Sequence, residues 1–350
     1  MIDLFCGAGG LSLGFEGLDS KKPTGVDIDW YAVKTYCTNV GHAILSDIRK
    51  LSPHDPLFSG HDILLGGVPC QTFSLEGRAK IRALGRNPEK DSRSYLYREF
   101  LRFVRALKPK VFVMENVKAA RNFLIPRMER EVPTEYSLTC AILDASKYGV
   151  PQKRERLFIV GVRGGDFDFP HGKGRILPFS EAVSDLPPLK AGDGMFEMAY
   201  LTEPQNAYQS LIRENSPKLF NHVTRKHNTR DLFLFSLIPP GGNYLSVPKK
   251  FRHRRDDAFI DRYYKIHPEK PCKTLTAHMS KDTRSYIFPV PSHEPALQRT
   301  ISVREAARVQ SFPDWFVFPA KITHAFRLIG NAVPPILART IALAIKEQVM

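Results

Sequence analysis

Short apolar runs alternate with amphipathic stretches through the first half of this 350-residue chain. Residues 2–5, 24–28, 42–45, 62–66 and 111–114 have the length and apolar character of buried strands. Between the last two, Leu96, Phe100, Phe103, Val104 and Leu107 recur at helical spacing, with Ser94 placed to cap the helix and Pro109 to stop it. Strand–helix–strand alternation predicts a doubly wound α/β sheet. Residues 137–143 and 157–162, separated by the turn-rich Tyr148-Gly149-Val150-Pro151, read as a closing hairpin.

Near residue 187 the texture changes. Pro187, Pro188, Gly192 and Gly194 resemble a linker, and from there to about residue 298 periodicity is weak. This stretch is rich in Pro, His, Arg and Lys and contains the run Lys249, Lys250, Arg252, His253, Arg254 and Arg255. It reads as a second, smaller and irregular domain over residues 189–323. Residues 1–188 and 324–350 then form a discontinuous first domain. Helical patterning resumes at 303–310, and 336–345 reads as a final apolar helix.

Composition adds a partner. A hydrophobic share of 43% and a charged share of 25% are ordinary for a globular chain. The net charge of +15 is not, and it suggests a polyanion, most simply nucleic acid; a solvated basic surface is the alternative. Five cysteines, Cys6, Cys37, Cys70, Cys140 and Cys272, include no C-x-x-C pair. That argues against a zinc ribbon or a disulfide framework and for a reducing, cytoplasmic setting. The chain opens directly on a strand, leaving no room for a signal peptide, and no apolar run reads as long enough to span a bilayer.

Four segments carry candidate chemistry. In Asp3-Leu4-Phe5-Cys6-Gly7-Ala8-Gly9-Gly10 a strand runs into a glycine-rich turn, and Asp27 ends the next strand, where it could hold ribose hydroxyls. Ser12 replaces the last glycine of a G-x-G-x-x-G pattern, so a purely structural turn stays open. Gly66-Gly67-Val68-Pro69-Cys70-Gln71-Thr72-Phe73-Ser74 ends the fourth strand, where ligands of open α/β sheets bind. A lone cysteine is more often structural, but Pro69 and Gln71 set this one in a loop. Glu115-Asn116-Val117 is expected after the fifth strand at the same sheet edge, making a thiol–carboxyl pair possible. In Gln152-Lys153-Arg154-Glu155-Arg156, alternation puts two guanidinium groups on one face.

The order of these segments, with residues 299–313 and Gly330-Asn331-Ala332-Val333, resembles the DNA cytosine-5 methyltransferase family of the bacterial restriction-modification type, over nearly the whole chain. The resemblance implies an S-adenosylmethionine-dependent, Rossmann-like methyltransferase fold with a target-recognition domain. It implies Cys70 as nucleophile, Glu115 as the acid, Arg156 at the cytosine O2 and Arg154 close to the thiol. Phe5, Cys6, Gly7, Ala8, Gly9, Gly10, Asp27, Ile28, Asp47, Ile48, Leu96, Asn331 and Ala332 would bind the cofactor, with Ile28 stacked on adenine and Asp47 at its amino group. Gln71, Ser74, Arg78, Lys249, Lys250, Arg252 and Thr274 would touch DNA. Arg78, Lys80, Arg82 and Arg86 would cover the flipped base. Double-stranded DNA is the implied partner, with no metal and no membrane, a monomeric enzyme, and a companion restriction endonuclease that it does not contact.

The chemistry asks for these residue types. C5 of cytosine is a poor nucleophile, and thiolate addition at C6 makes it an enamine. Negative charge growing at N3 needs an acid. The cofactor already carries an activated methyl group, so no metal is required. C6 is hidden in a duplex, so the base must be flipped out. Methylation of tRNA by a branch with the same motifs is the nearest alternative. A nicotinamide-dependent oxidoreductase and a non-catalytic DNA-binding protein are more distant ones.

Overall fold

The structure, a computed structural model, describes residues 1–19, 21–69, 73, 81, 83, 85, 87, 91–252, 262–291 and 294–350. Contacts divide them into two compact units. One comprises Met1–Tyr148, Arg154–Lys173 and Ala332–Met350, and the other Gly149–Lys153 and Gly174–Asn331. The divisions thus fall at 173/174 and 331/332, where the sequence reading places 188/189 and 323/324, and a five-residue piece beside the hairpin belongs to the second unit.

The first unit is built on seven strands: β1 (Ile2–Leu4), β2 (Thr24–Asp27), β3 (His42–Leu45), β4 (Ile63–Gly67), β5 (Val111–Val117), β6 (Tyr136–Asp144) and β7 (Glu155–Arg163). Their order is β3-β2-β1-β4-β5-β7-β6. The first five run parallel, and β7 is antiparallel to both neighbours. The order therefore reverses between β1 and β4, which opens a crevice beyond their carboxyl ends. Period-two alternation sorts β1. Ile2 and Leu4 join a core with Phe100, Phe103, Phe112, Leu157 and Ile159. Asp3 is buried elsewhere and accepts a hydrogen bond from the Ser12 hydroxyl at 2.6 Å, with the Tyr36 hydroxyl 2.8 Å from Ser12 Oγ.

Helix Tyr97–Leu107 buries Tyr97, Phe100, Leu101, Phe103 and Val104, as its spacing demands. Ser94 does not cap it. A 3₁₀ turn, Ser92–Tyr95, intervenes, and the N-cap is Leu96, which has no side-chain capping bond. The helix closes on Lys108 in the left-handed region, one residue before Pro109. The stretch Ile322–Val349 is, by length and composition, apolar enough to cross a bilayer, which the sequence reading did not expect; 72% of its apolar window lies buried in the protein, as in a core helix.

In the second unit, Gln152–Lys153 pairs in parallel with Cys272–Lys273, and Gly194–Met198 pairs antiparallel with Leu219–Val223. A small core forms from Leu234, Phe235, Ile238, Tyr244, Val247, Tyr263 and Ile287. Helix Val303–Val309 begins with a capping box between Ser302 and Glu305. Gly330 is required by packing, since a Cβ there would stand 2.4 Å from the Thr276 carbonyl carbon.

Burial pushes the Asp3 carboxyl from 3.8 up to about 7. The folded state therefore binds this proton more tightly than the unfolded chain, and stability attributable to Asp3 is lost as pH rises from 3.8 through about 7. Asp3→Asn keeps an acceptor for Ser12 and removes the penalty. Thermal melts should show the variant gaining on the wild type over that window, by about 2 °C or more at pH 8. A gap independent of pH would contradict the buried-acid assignment.

Candidate active site

The loop leaving β1 turns at Phe5, which takes φ 61, a costly conformation for an aromatic residue. The Cys6 amide donates to the Val26 carbonyl at 3.0 Å, and the Gly7 amide to Asp27 Oδ2 at 2.9 Å. Gly9, at φ 92, packs so closely on helix Trp30–Asn39 that a Cβ would lie 2.7 Å from Val40. Gly7, at φ 54, faces open space instead. Asp27 also accepts from the Asp29 amide at 2.8 Å; burial raises its pKa and these amides oppose the rise. Ile28, next in the chain, is 71% exposed. Bare glycine backbone, an acidic strand end and an uncovered aliphatic side chain fit a nucleoside-bearing cofactor.

Further along the same edge, Asp47 caps the 3₁₀ turn Ile48–Lys50 and is gripped by the Arg49 guanidinium, which holds its carboxyl near 2. An adenine amino group would share this carboxylate with Arg49. Arg102, which sequence reasoning passed over, braces the turn by donating to the Leu51 carbonyl at 2.9 Å and the Ile48 carbonyl at 2.8 Å. Leu96 lies half-buried against the core.

β5 does not end before Glu115, as the sequence reading expected; it runs to Val117. Register then explains the arrangement around Glu115. Gly67 is paired with Glu115, and Val117 with Arg156. Arg156 is therefore a diagonal neighbour on the face of Glu115, and its Nε lies 3.2 Å from Oε1. A Cβ on Gly67 would be 3.8 Å from both Glu115 Oε2 and the Phe5 carbonyl oxygen, which brings the carboxyl and the cofactor loop to one point.

Arg154 is also buried and donates to the Ala332 carbonyl at 3.0 Å. Burial raises the Glu115 pKa, while Arg156 and then Arg154 pull it back. Asn116, unassigned from sequence, donates through Nδ2 to the Val68 carbonyl at 3.1 Å and accepts from the Val117 amide at 2.8 Å. Its place beside Glu115 was the available signal.

Cys70, Gln71, Ser74, Arg78, Lys80, Arg82 and Arg86 lie outside the described residues. Among the described cysteines, burial pushes Cys140 to about 11 and Cys272 to about 12, and Cys6 is also raised, which makes all three poor nucleophiles at neutral pH. No group of three potential metal ligands occurs among the described residues.

In the second unit Lys249 and Lys250 are exposed on a 3₁₀ turn. Arg252, expected at DNA, spends its Nε on the Val247 carbonyl and Nη2 on the Leu245 carbonyl, at 2.7 and 2.6 Å. These bonds fold the segment back on itself. The Thr274 hydroxyl, expected at a phosphate, donates to the Lys153 carbonyl at 2.7 Å. Asn331 is the exposed last residue of helix Ile322–Asn331.

The sheet order, the glycine loop at its switch point and the acid at the edge of β5 define an α/β fold of the S-adenosylmethionine-dependent methyltransferase type. Comparison with known proteins narrows the class. The family described as C-5 cytosine-specific DNA methylase matches residues 1–347. Type II methyltransferase M.DdeI of Desulfomicrobium norvegicum is 34% identical, over 98% of this chain and 87% of its own length. M1.HphI of Haemophilus parahaemolyticus is 33% identical, over 98% and 86%. Among solved structures, a putative DNA modification methyltransferase encoded within an E. coli prophage superposes with TM-score 0.77 at 25% identity, over 99% of this chain and 98% of that one. The S. pombe Dnmt2 methyltransferase shares the fold at TM-score 0.59 and 15% identity, over 99% and 98%. The chain belongs to the C-5 cytosine-specific DNA methylase family and is a DNA (cytosine-5)-methyltransferase.

The electrostatics of Glu115 give a direct test. Because Arg156 is the larger of the two influences lowering its pKa, Arg156→Met should raise that pKa further. An infrared titration of the carboxylic C=O band, identified by its loss in Glu115→Gln, should show the proton retained to higher pH in the variant. An unmoved titration would mean the ion pair does not govern this carboxyl.

Proposed function

We propose that this enzyme methylates one cytosine within a short, specific duplex sequence through a covalent adduct formed by Cys70. The reading rests above all on Glu115, buried between Arg156 and Arg154 at the end of β5, in register with the strand that leads to Cys70. The Cys70 thiolate adds to C6 of the flipped base. Glu115 donates a proton or hydrogen bond to N3 as charge develops there, and Arg156 steadies the O2 edge. The glycine loop, Asp27, Ile28 and the Asp47 turn would hold S-adenosylmethionine, which would supply an electrophilic methyl group for C5 and leave as the neutral thioether. A base then takes the C5 proton, electrons return to the ring, and the thiolate leaves C6.

By similarity to the type II relatives, we place the enzyme in a restriction-modification system; we further propose that it acts as a monomer on cytoplasmic DNA, beside an endonuclease it does not touch. RNA methylation is the weaker reading. The matching family is described as a DNA methylase, and relatives at about a third identity carry type II methyltransferase names.

Transfer of labelled methyl groups followed by nucleoside analysis should give 5-methylcytosine in DNA and none in tRNA. Duplex carrying 5-fluorocytosine at the target should trap the enzyme covalently, since fluorine cannot leave as a proton does. Cys70→Ala should abolish trapping and turnover, while Cys6→Ala or Cys272→Ala should still trap. Trapping that survives Cys70→Ala would overturn the assignment.

The same reading assigns sequence choice to residues 190–298 and phosphate contact to Lys249 and Lys250. Neutralising both lysines should weaken binding on every sequence and lower the slope of log affinity against log salt by about one unit per lost contact. The methylated site should not change. Grafting this segment from a relative should move methylation to the donor's site; a graft that keeps the original site would refute the division of labour.

A further inference from the structure

Phe73 stands three residues after Cys70 and is 4% exposed. Its ring lies 4.9 Å from that of Phe123, on helix Arg121–Glu131. Tyr95 and Tyr97 complete the cluster, with ring centres 5.8 and 6.4 Å from Phe123. Arg127 caps Phe123, its guanidinium carbon 3.8 Å from the ring centre and Nη1 donating to the Phe123 carbonyl at 2.8 Å. These distances suit edge-to-face and tilted aromatic packing.

The cluster joins three segments that the chemistry must bring into register. Phe73 follows the nucleophile. Phe123 belongs to the helix that follows β5, the strand of Glu115 and Asn116. Tyr95 immediately precedes Leu96, a candidate cofactor contact. On the other side of the nucleophile, the Val68 carbonyl is held by Asn116. Val68 and Phe73, which flank the nucleophile in sequence, are thus both held by groups of one strand–helix unit. A three-residue tether spans at most about 11 Å, so moving the Phe73 anchor moves the range open to Cys70.

We infer that Phe73 and Phe123 form a positioning pair on which the rate of adduct formation by Cys70 depends. The inference rests on the Cys70 reading above. Both are positioning residues, acting on the chemistry through the chain and not on the substrate.

The test compares Phe73→Leu, Phe123→Leu, the double variant and Phe58→Leu in the full chain, well below the lowest Tm. Phe58 is a buried aromatic of the same core, 5.2 Å from Phe103, and controls for packing loss alone. The readout is the single-turnover rate of covalent trapping on 5-fluorocytosine duplex with saturating S-adenosylmethionine, beside cofactor affinity by equilibrium dialysis. Each pair variant should trap about tenfold more slowly, because small misplacements of a reacting group cost large factors in rate. The double variant should be no slower than the slower single one, because the contact is shared. Cofactor affinity should stay within about twofold, and Phe58→Leu should trap at the wild-type rate despite a comparable fall in Tm. Wild-type trapping by Phe73→Leu, equal slowing by Phe58→Leu, or multiplying effects in the double variant would overturn the pairing. Trapping by Cys70→Ala would instead overturn the nucleophile reading itself.

Discussion

A carboxylate buried at the end of a strand is costly unless positive charge is buried with it or it takes up a proton. Glu115 imposes that condition on the first unit. The parallel strands all leave the crevice edge by their carboxyl ends and cannot return a side chain to it within a short span. An antiparallel strand does so, because it begins where the others finish. β7 starts at Glu155, beside the end of β5, and Arg156 arrives diagonally across from Glu115. Arg154 precedes the strand and is fixed through the Ala332 carbonyl. The closing hairpin thus delivers the counter-charges that let Glu115 exist where chemistry requires an acid.

The same edge is tightened by bonds to backbone. Asn116 holds Val68, Asp27 holds the Gly7 amide, and Arg102 holds the carbonyls of Ile48 and Leu51. Each ties a loop to a regular element. Charge-assisted and buried hydrogen bonds thus add to the rigidity of the crevice.

The second unit solves a different problem. Its sequence has little periodic patterning, and its apolar side chains gather in clusters such as that around Phe235 and Tyr263 and that of Phe312, Phe316 and Phe318. It also buries guanidinium groups. Arg308 pairs with Asp185 and Asp314; Arg304 donates to the carbonyls of Phe220, Pro313 and Phe316; Arg299 grips Glu305. Such networks add little net stability but penalise every arrangement that leaves one member unpaired, so they favour a single register for an irregular chain.

Local pattern was enough for much of this. The apolar runs located the strands to within a few residues, the spacing of Phe100, Phe103, Val104 and Leu107 located a helix, and the order of the glycine loop, Pro69-Cys70-Gln71, Glu115 and Arg156 carried the family. These features depend on neighbours in the chain, and a sequence displays neighbours. The bonds of Arg252 and Thr274 to backbone carbonyls were not legible, because a basic or hydroxyl side chain looks the same whether or not it faces a carbonyl of its own fold. The Ser94 cap failed for a related reason, since a 3₁₀ turn is not distinguishable from a helix start by composition. The partners of Asn116 and Arg102 and the Phe73–Phe123 contact were invisible, because they join residues dozens of positions apart. Sequence alone determined which chemistry the chain could perform and along which strands it would be strung. Tertiary structure decided which charges are buried together and what holds each loop, because burial and long-range register exist only once the sheet has closed.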